Sequence, residues 1–132
     1  MRHSIAILGA LAFTFALAGA RMVRAVEGGD AESGKKVFTK CQACHSLDAG
    51  VNKIGPSLHG IIGRASASVD GFKYSEAMSN AHLNWTPETL DQYLTNPRKS
   101  VPGTKMAFPG LPKPEDRANV ITYLEQAAGA AQ

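Results

Sequence analysis

The chain's two cysteines stand close together in Cys41-Gln42-Ala43-Cys44, and His45 follows directly. Residues of these types at this spacing suit three chemistries. A thiol pair with two residues between is the active group of a disulfide oxidoreductase when it opens a helix after a strand. Two thiolates and an imidazole are three of the four ligands of a structural zinc ion, with His59 or His82 as candidates for the fourth. The third chemistry uses all three residues at once. The two sulfurs bond the vinyl groups of a haem, and the histidine is carried to the iron from the same side, the Cys-x-x-Cys-His attachment pattern.

The surroundings favour the third. The pair falls at the end of a predicted helix, no strand pattern precedes it, and neither His59 nor His82 has a typical zinc-ligand spacing. A haem iron held by His45 has one further axial position, for which the candidates are His59, His82, Met78, Met106 and the lysines. Met78 falls in a short predicted helix, where a methionine is ordinarily packing. Met106 lies in "PGTKMAFPG", a proline-rich loop where a packing role is harder to argue. Methionine opposite histidine raises the reduction potential, because the soft sulfur favours reduced iron. His59 reads as a hydrogen-bonding histidine between loops and His82 as an exposed one. Tyr74, Trp85 and Tyr93 read as core aromatics whose polar atoms need partners, which a propionate or an axial sulfur would supply. Arg64 could pair with a propionate.

Few elements are available to position these groups. A helix is predicted from Ala31 to about Ala43, capped by Asp30, with Val37, Phe38 and Cys41 on one face. Residues 46 to 72 carry five glycines and one proline without a sustained period, a long loop that needs something to wrap around. A short helix is expected at Ser75 to Asn80. Thr86, Pro87 and Pro97 punctuate another, with Leu90, Tyr93 and Leu94 along one side. Five of the seven prolines fall between Pro97 and Pro114, a density read as excluding any helix or central strand there. The last helix runs from Pro114 to Ala128, with Val120, Ile121, Tyr123 and Leu124 to bury and Gly129 as its stop. The core is thin for 132 residues, and a bound macrocycle would supply the missing apolar volume.

The beginning of the chain differs from the rest. "MRHS" is short and basic, and Ile5 to Ala20 is apolar without a charge. That run falls short of the roughly 20 residues that span a bilayer, and it fits the centre of a secretory signal. Cleavage is expected after Ala25, with the site after Ala20 and an uncleaved anchor as the alternatives. The expected division is a cleaved signal over 1–25 and one domain over 26–132. Arg2, Arg21 and Arg24 leave with the signal, so 14 basic side chains become 11, equal to the 11 acidic ones. The basic character of the full chain is then no argument for nucleic acid. Basic residues fill the middle of the mature chain and acidic ones its ends, a dipole if the ends meet.

From Asp30 to Ala128 the chain resembles a class I c-type cytochrome, close to mitochondrial cytochrome c and its soluble bacterial relatives. "GKKVFTKCQACH", "GPSLHGIIGR", "GFKYSEA", "WTPETLDQYLTNPRK", "PGTKMAFPG" and "VITYLEQA" follow the family's motifs in order and spacing. The resemblance implies an all-α fold of three to five short helices and ordered loops around one haem, covalently attached through Cys41 and Cys44. It implies that the first and last helices cross through Gly34 and Phe38 against Val120 and Tyr123. It implies His45 and Met106 as axial ligands, the Pro56 carbonyl on the His45 ring N–H, and Tyr93 against the Met106 sulfur. Tyr74, Trp85 and Arg64 would hold the propionates, and Lys35, Lys40, Lys53, Lys73, Lys99 and Lys105 would ring the haem edge where acidic partner sites dock.

Three departures stand out. Only two residues separate Phe38 from Cys41, one fewer than in mitochondrial members. Asn52 stands where those often carry a loop-bridging histidine, so that bridge is expected to be weaker or absent. Met78 stands where many relatives have an asparagine. The resulting expectation is a periplasmic, monomeric one-electron carrier of a respiratory or photosynthetic chain, not an enzyme. It would shuttle between a membrane quinol-oxidising cytochrome complex and a terminal oxidase or photosynthetic reaction centre.

Overall fold

The computed structural model describes residues 28–129, so the expected signal segment and the boundary after Ala25 lie outside the described residues. Five helices follow in order: α1 (Ala31–Gln42), α2 (Glu76–Ser79), α3 (Pro87–Thr95), α4 (Pro97–Ser100) and α5 (Pro114–Ala127). Among the described residues there is no strand, only an isolated antiparallel bridge between Ala65 and Asn84. None of these helices is long and apolar enough to cross a membrane.

Local chemistry sets the helix starts. Asp30 accepts the Ser33 N–H at 2.7 Å, a bond that holds its carboxyl below the usual range. Ser75 and Thr86 cap α2 and α3 in the same way, through the N–H groups of Met78 and Thr89. Pro87 and Pro114 occupy first-turn positions, where a missing N–H leaves no helical bond unmade.

The same logic corrects the reading of 97–114 as helix-free. Asn96 accepts the Lys99 N–H at 3.0 Å and Pro97 opens α4, so this proline starts one turn while ending the helix before it. The remaining prolines keep residues 102–113 irregular.

The frame is the crossing of α1 and α5. Gly29 and Gly34 let the two backbones touch: a Cβ on Gly34 would run into the Asn119 carbonyl and lie 2.8 Å from Tyr123 Cβ. Asn119 Oδ1 accepts the Asp30 N–H at 2.7 Å, and the rings of Phe38 and Tyr123 meet with centroids 5.3 Å apart. Val120 and Leu124 turn inward from α5, and α3 packs beside them with Leu90 and Leu94.

Loops make up much of the remainder. Asn52 does bridge two of them, against expectation: its amide donates to the Asp70 carbonyl at 3.2 Å and accepts the Ser57 N–H at 2.9 Å. A carboxamide carries both a donor and an acceptor, so it reaches both loops at once.

Candidate haem-binding site

The end of α1 delivers the thiols. The N–H groups of Cys44 and His45 both donate to the Cys41 carbonyl, at 3.0 and 2.9 Å, which turns the chain out of the helix beside the first cysteine. Gly55 N–H donates to the Cys44 carbonyl at 2.8 Å, bringing the next loop back over the turn. His45 Nδ1 lies 2.7 Å from the Pro56 carbonyl. A carbonyl only accepts, so Nδ1 carries the proton and Nε2 keeps its lone pair. Burial holds this imidazole below its ordinary pKa, against the opposing pull of the Pro56 bond. The ring is therefore neutral and aimed, as a metal ligand must be.

Cys41, Cys44 and His45 line a cavity of about 500 Å³. Leu58, Ile61, Met78, Trp85, Leu90, Leu94, Val120 and Leu124 give it apolar walls, and Met106 joins them from the loop after α4. The Tyr93 hydroxyl donates to Met106 Sδ at 3.4 Å, and Met106 N–H donates to Thr104 Oγ1 at 3.3 Å. Burial pushes the Tyr93 phenol up, opposed by the neighbouring Thr104 hydroxyl, so at neutral pH it is a donor. Trp85 stacks edge-on against Tyr93, centroids 4.9 Å apart.

Arg64 lines the same cavity. Its Nη2 donates to the Ser57 carbonyl at 2.9 Å and its Nη1 to the His59 carbonyl, while its buried Nε has no partner. A buried, unpartnered donor on a half-buried cation fits an anionic carboxylate. Tyr74, also on the wall, accepts the Val69 N–H at 3.2 Å, which leaves its own proton to donate. An apolar slot with a thiol pair, an aimed imidazole and an orphaned guanidinium fits a haem.

The rival chemistries fit less well. Cys41 sits at the C-terminal end of α1, and burial pushes its thiol up to about 11, far from the reactive thiolate of an oxidoreductase. Among the described residues no group of three or more His, Cys, Asp and Glu is arranged to hold a metal ion by itself. His59 accordingly lies between loops, with Nδ1 3.2 Å from the Leu47 carbonyl, and His82 is exposed.

The six lysines do not form one set. Lys40, Lys73 and Lys105 are exposed and line the cavity, which makes them its rim; Lys35, Lys53 and Lys99 are exposed elsewhere. Lys105 Nζ donates to the Lys73 carbonyl at 3.4 Å, and Lys53 Nζ to the Gln42 carbonyl at 3.1 Å. Two further residues were missed in the sequence. Ile54 is 81 % exposed at the rim, and Gly55 lies against the His45 ring with no room for a Cβ.

The family model for cytochrome c matches residues 31–128. This chain belongs to the cytochrome c family. It is 61 % identical over 97 residues to the cytochrome c-type cyt cy of Rhodobacter capsulatus, covering 73 % of this chain and 48 % of that protein. Against cytochrome c type-1 of Ascaris suum it is 56 % identical, over 74 % of this chain and 88 % of that one. The chain thus spans about half the length of the Rhodobacter protein and most of the Ascaris protein. Among solved structures, cytochrome cH from Methylobacterium extorquens matches with a TM-score of 0.70 and 40 % identity, covering 74 % of this chain and 99 % of that chain. The protein is a class I c-type cytochrome with the family's small all-α fold. Its cofactor is covalent haem c, attached through Cys41 and Cys44, and it is an electron-transfer protein rather than an enzyme.

Proposed function

We propose that this cytochrome is a periplasmic, monomeric one-electron carrier with His45 and Met106 as the axial ligands of its haem. It would run between a membrane quinol-oxidising cytochrome complex and a terminal oxidase or photosynthetic reaction centre. Bound haem supplies a one-electron ferric/ferrous couple. The observation that carries the reading is a pair of bonds on the wall of one cavity. The Pro56 carbonyl accepts a hydrogen bond from His45 Nδ1–H at 2.7 Å, and the Tyr93 hydroxyl donates to Met106 Sδ at 3.4 Å. Each would hold a ligating atom in a fixed orientation, which suits a centre that changes charge without changing ligands.

The other residues take supporting roles. Arg64, Tyr74 and Trp85 would hold the propionates, and the apolar walls keep water out. Lys40, Lys73 and Lys105 would present a basic rim to acidic docking sites, with Lys35, Lys53 and Lys99 extending the positive field.

The test is the weak near-infrared absorption of methionine sulfur on ferric haem, read on protein matured by an export host. The band is expected in the wild type and absent in Met106→Ala. Covalent haem without the band would give the sixth position to another group or leave it open, and a ligand-binding or peroxidase role would take first place. The mass of the mature protein tests export separately: loss of residues 1–25 is expected, and a retained segment would make it an anchored carrier.

A further inference from the structure

The loop that carries Met106 is held at its far end by a buried cation with no part in the function proposed above. Arg117 of α5 is 8 % exposed. Its Nε donates to Asp91 Oδ1 of α3 at 2.7 Å, and its Nη1 donates to the carbonyls of Leu111 and Pro112 at 2.8 and 3.2 Å. The same stretch of loop meets α3 directly, because Leu111 N–H donates to the Leu94 carbonyl at 2.7 Å. Gly110, at φ +105°, lies so close to the Thr95 carbonyl that a Cβ there would collide with it.

A buried ion pair is weak evidence for stability, since its desolvation offsets much of its attraction. What a guanidinium does provide is direction: its donors are fixed in one plane and bond only acceptors placed to match. Here those acceptors come from α3 and from the exit of the Met106 loop. Asp91 stands two positions before Tyr93 on the same helix, and Tyr93 holds the Met106 sulfur. The sulfur and the loop exit are thus both referenced to α3.

We propose that Arg117 is a positioning residue for Met106. By joining Asp91 to the carbonyls of Leu111 and Pro112, it fixes the loop against α3 and keeps the sulfur from leaving its place. The inference rests on the Met106 ligation proposed above.

The test uses ferric holoprotein titrated with imidazole, which competes for the sixth position, with loss of the near-infrared band as the signal. Asp91→Asn keeps the side chain's size and leaves the Arg117 bonds to the loop carbonyls in reach; Arg117→Lys keeps the charge and removes the fork. Ser66→Ala controls for general loosening, because it deletes a 2.9 Å bond to Leu83 N–H that touches neither α3, α5 nor the Met106 loop. Both Asp91→Asn and Arg117→Lys are expected to bind imidazole about tenfold more tightly than wild type, the first because a charge-assisted bond falls to a neutral one on the amide oxygen, the second because the fork is lost. Ser66→Ala is expected to bind as wild type does. Wild-type affinity in Asp91→Asn overturns the proposal, and so does an equal tightening in Ser66→Ala. A wild type without the band refutes the Met106 ligation on which the proposal stands.

Discussion

Gly55→Ala is a demanding probe of the site, because one methyl group would be set against His45, the proposed haem ligand. A Cβ at Gly55 would collide with His45 Cε1 and lie 2.7 Å from Nδ1 and 2.9 Å from Nε2, where ordinary contact begins at 3.4 Å. Ring and loop must therefore separate by at least 0.7 Å, the difference between 3.4 and 2.7 Å. The loop has little freedom to retreat. Gly55 N–H is bonded to the Cys44 carbonyl at 2.8 Å, and the Gly55 carbonyl accepts the Lys53 N–H at 2.9 Å. The ring moves instead, straining its 2.7 Å bond to Pro56. Gly55 is not among the positive-φ glycines, so alanine carries no backbone penalty and the effect is steric. Overpacking of this kind costs about 1–3 kcal/mol. Losing the orienting bond of a metal-bound histidine weakens ligation about 10- to 100-fold, which is of similar size. The assay is denaturant unfolding of ferric holoprotein, followed by fluorescence of the single tryptophan, Trp85, which lines the haem cavity. Gly28→Ala, with nothing within 4 Å, is the neutral control. A Gly55→Ala protein within about 0.5 kcal/mol of that control, the surface-substitution scatter, would refute the steric argument, the more so if its potential is unchanged.

Three further outcomes follow from the same geometry. Gly34→Ala drives a methyl group into the Asn119 carbonyl at the α1–α5 crossing and is expected to lose about 1–3 kcal/mol in denaturant unfolding, with the near-infrared band retained before unfolding. Tyr93→Phe removes the donor on Met106 Sδ; with Met106 as the proposed ligand, the sulfur would become a better donor to ferric iron, and the potential is expected to fall by about 20–60 mV for one hydrogen bond of 0.5–1.5 kcal/mol. Because burial raises the Tyr93 pKa, the phenol stays protonated through neutral pH, and that difference in a redox titration should be flat between about pH 6 and 8. Lys73→Glu and Lys105→Glu, on the cavity rim, should slow electron exchange with an acidic partner and flatten its fall with ionic strength. Lys99→Glu, away from the rim, should do so less; equal effects from all three would speak for net charge rather than a docking rim.

Much of this protein is legible before any coordinates. Helix starts are written in side chains that do one thing: Asp30 and Thr86 cap where their types and neighbours say they should, and Ser75, expected as the first residue of its helix, proves to be its cap. The turn Cys41–His45 narrows its chemistry to three by type and spacing, and the helix before it and the absence of a strand pattern favour haem attachment. The misreadings came from residues that can do two things. Pro97 does stop α3 as its type says, but it is also a good first residue, and Asn96 before it lets it open α4 in a stretch whose proline density argues against any helix. Asn52 in place of a bridging histidine leads to the expectation of a weaker bridge or none, yet its amide ties both loops through its own pair of atoms.

What stayed hidden has a common physical form. Arg64 donates to the carbonyls of Ser57 and His59, Arg117 to those of Leu111 and Pro112, and Lys105 to that of Lys73. Every residue has a carbonyl, so the acceptor leaves no mark in the sequence, and only the path of the loop decides which one a side chain meets. The same holds for Gly55, whose role is an absence of volume beside His45. Side-chain type announces which groups do chemistry; backbone acceptors and missing methyl groups decide where those groups point. A substitution that spares every named ligand can therefore still move the potential, provided it shifts a loop carbonyl. That is why Asp91 and Arg117, neither of which lines the cavity, bear on the sulfur of Met106.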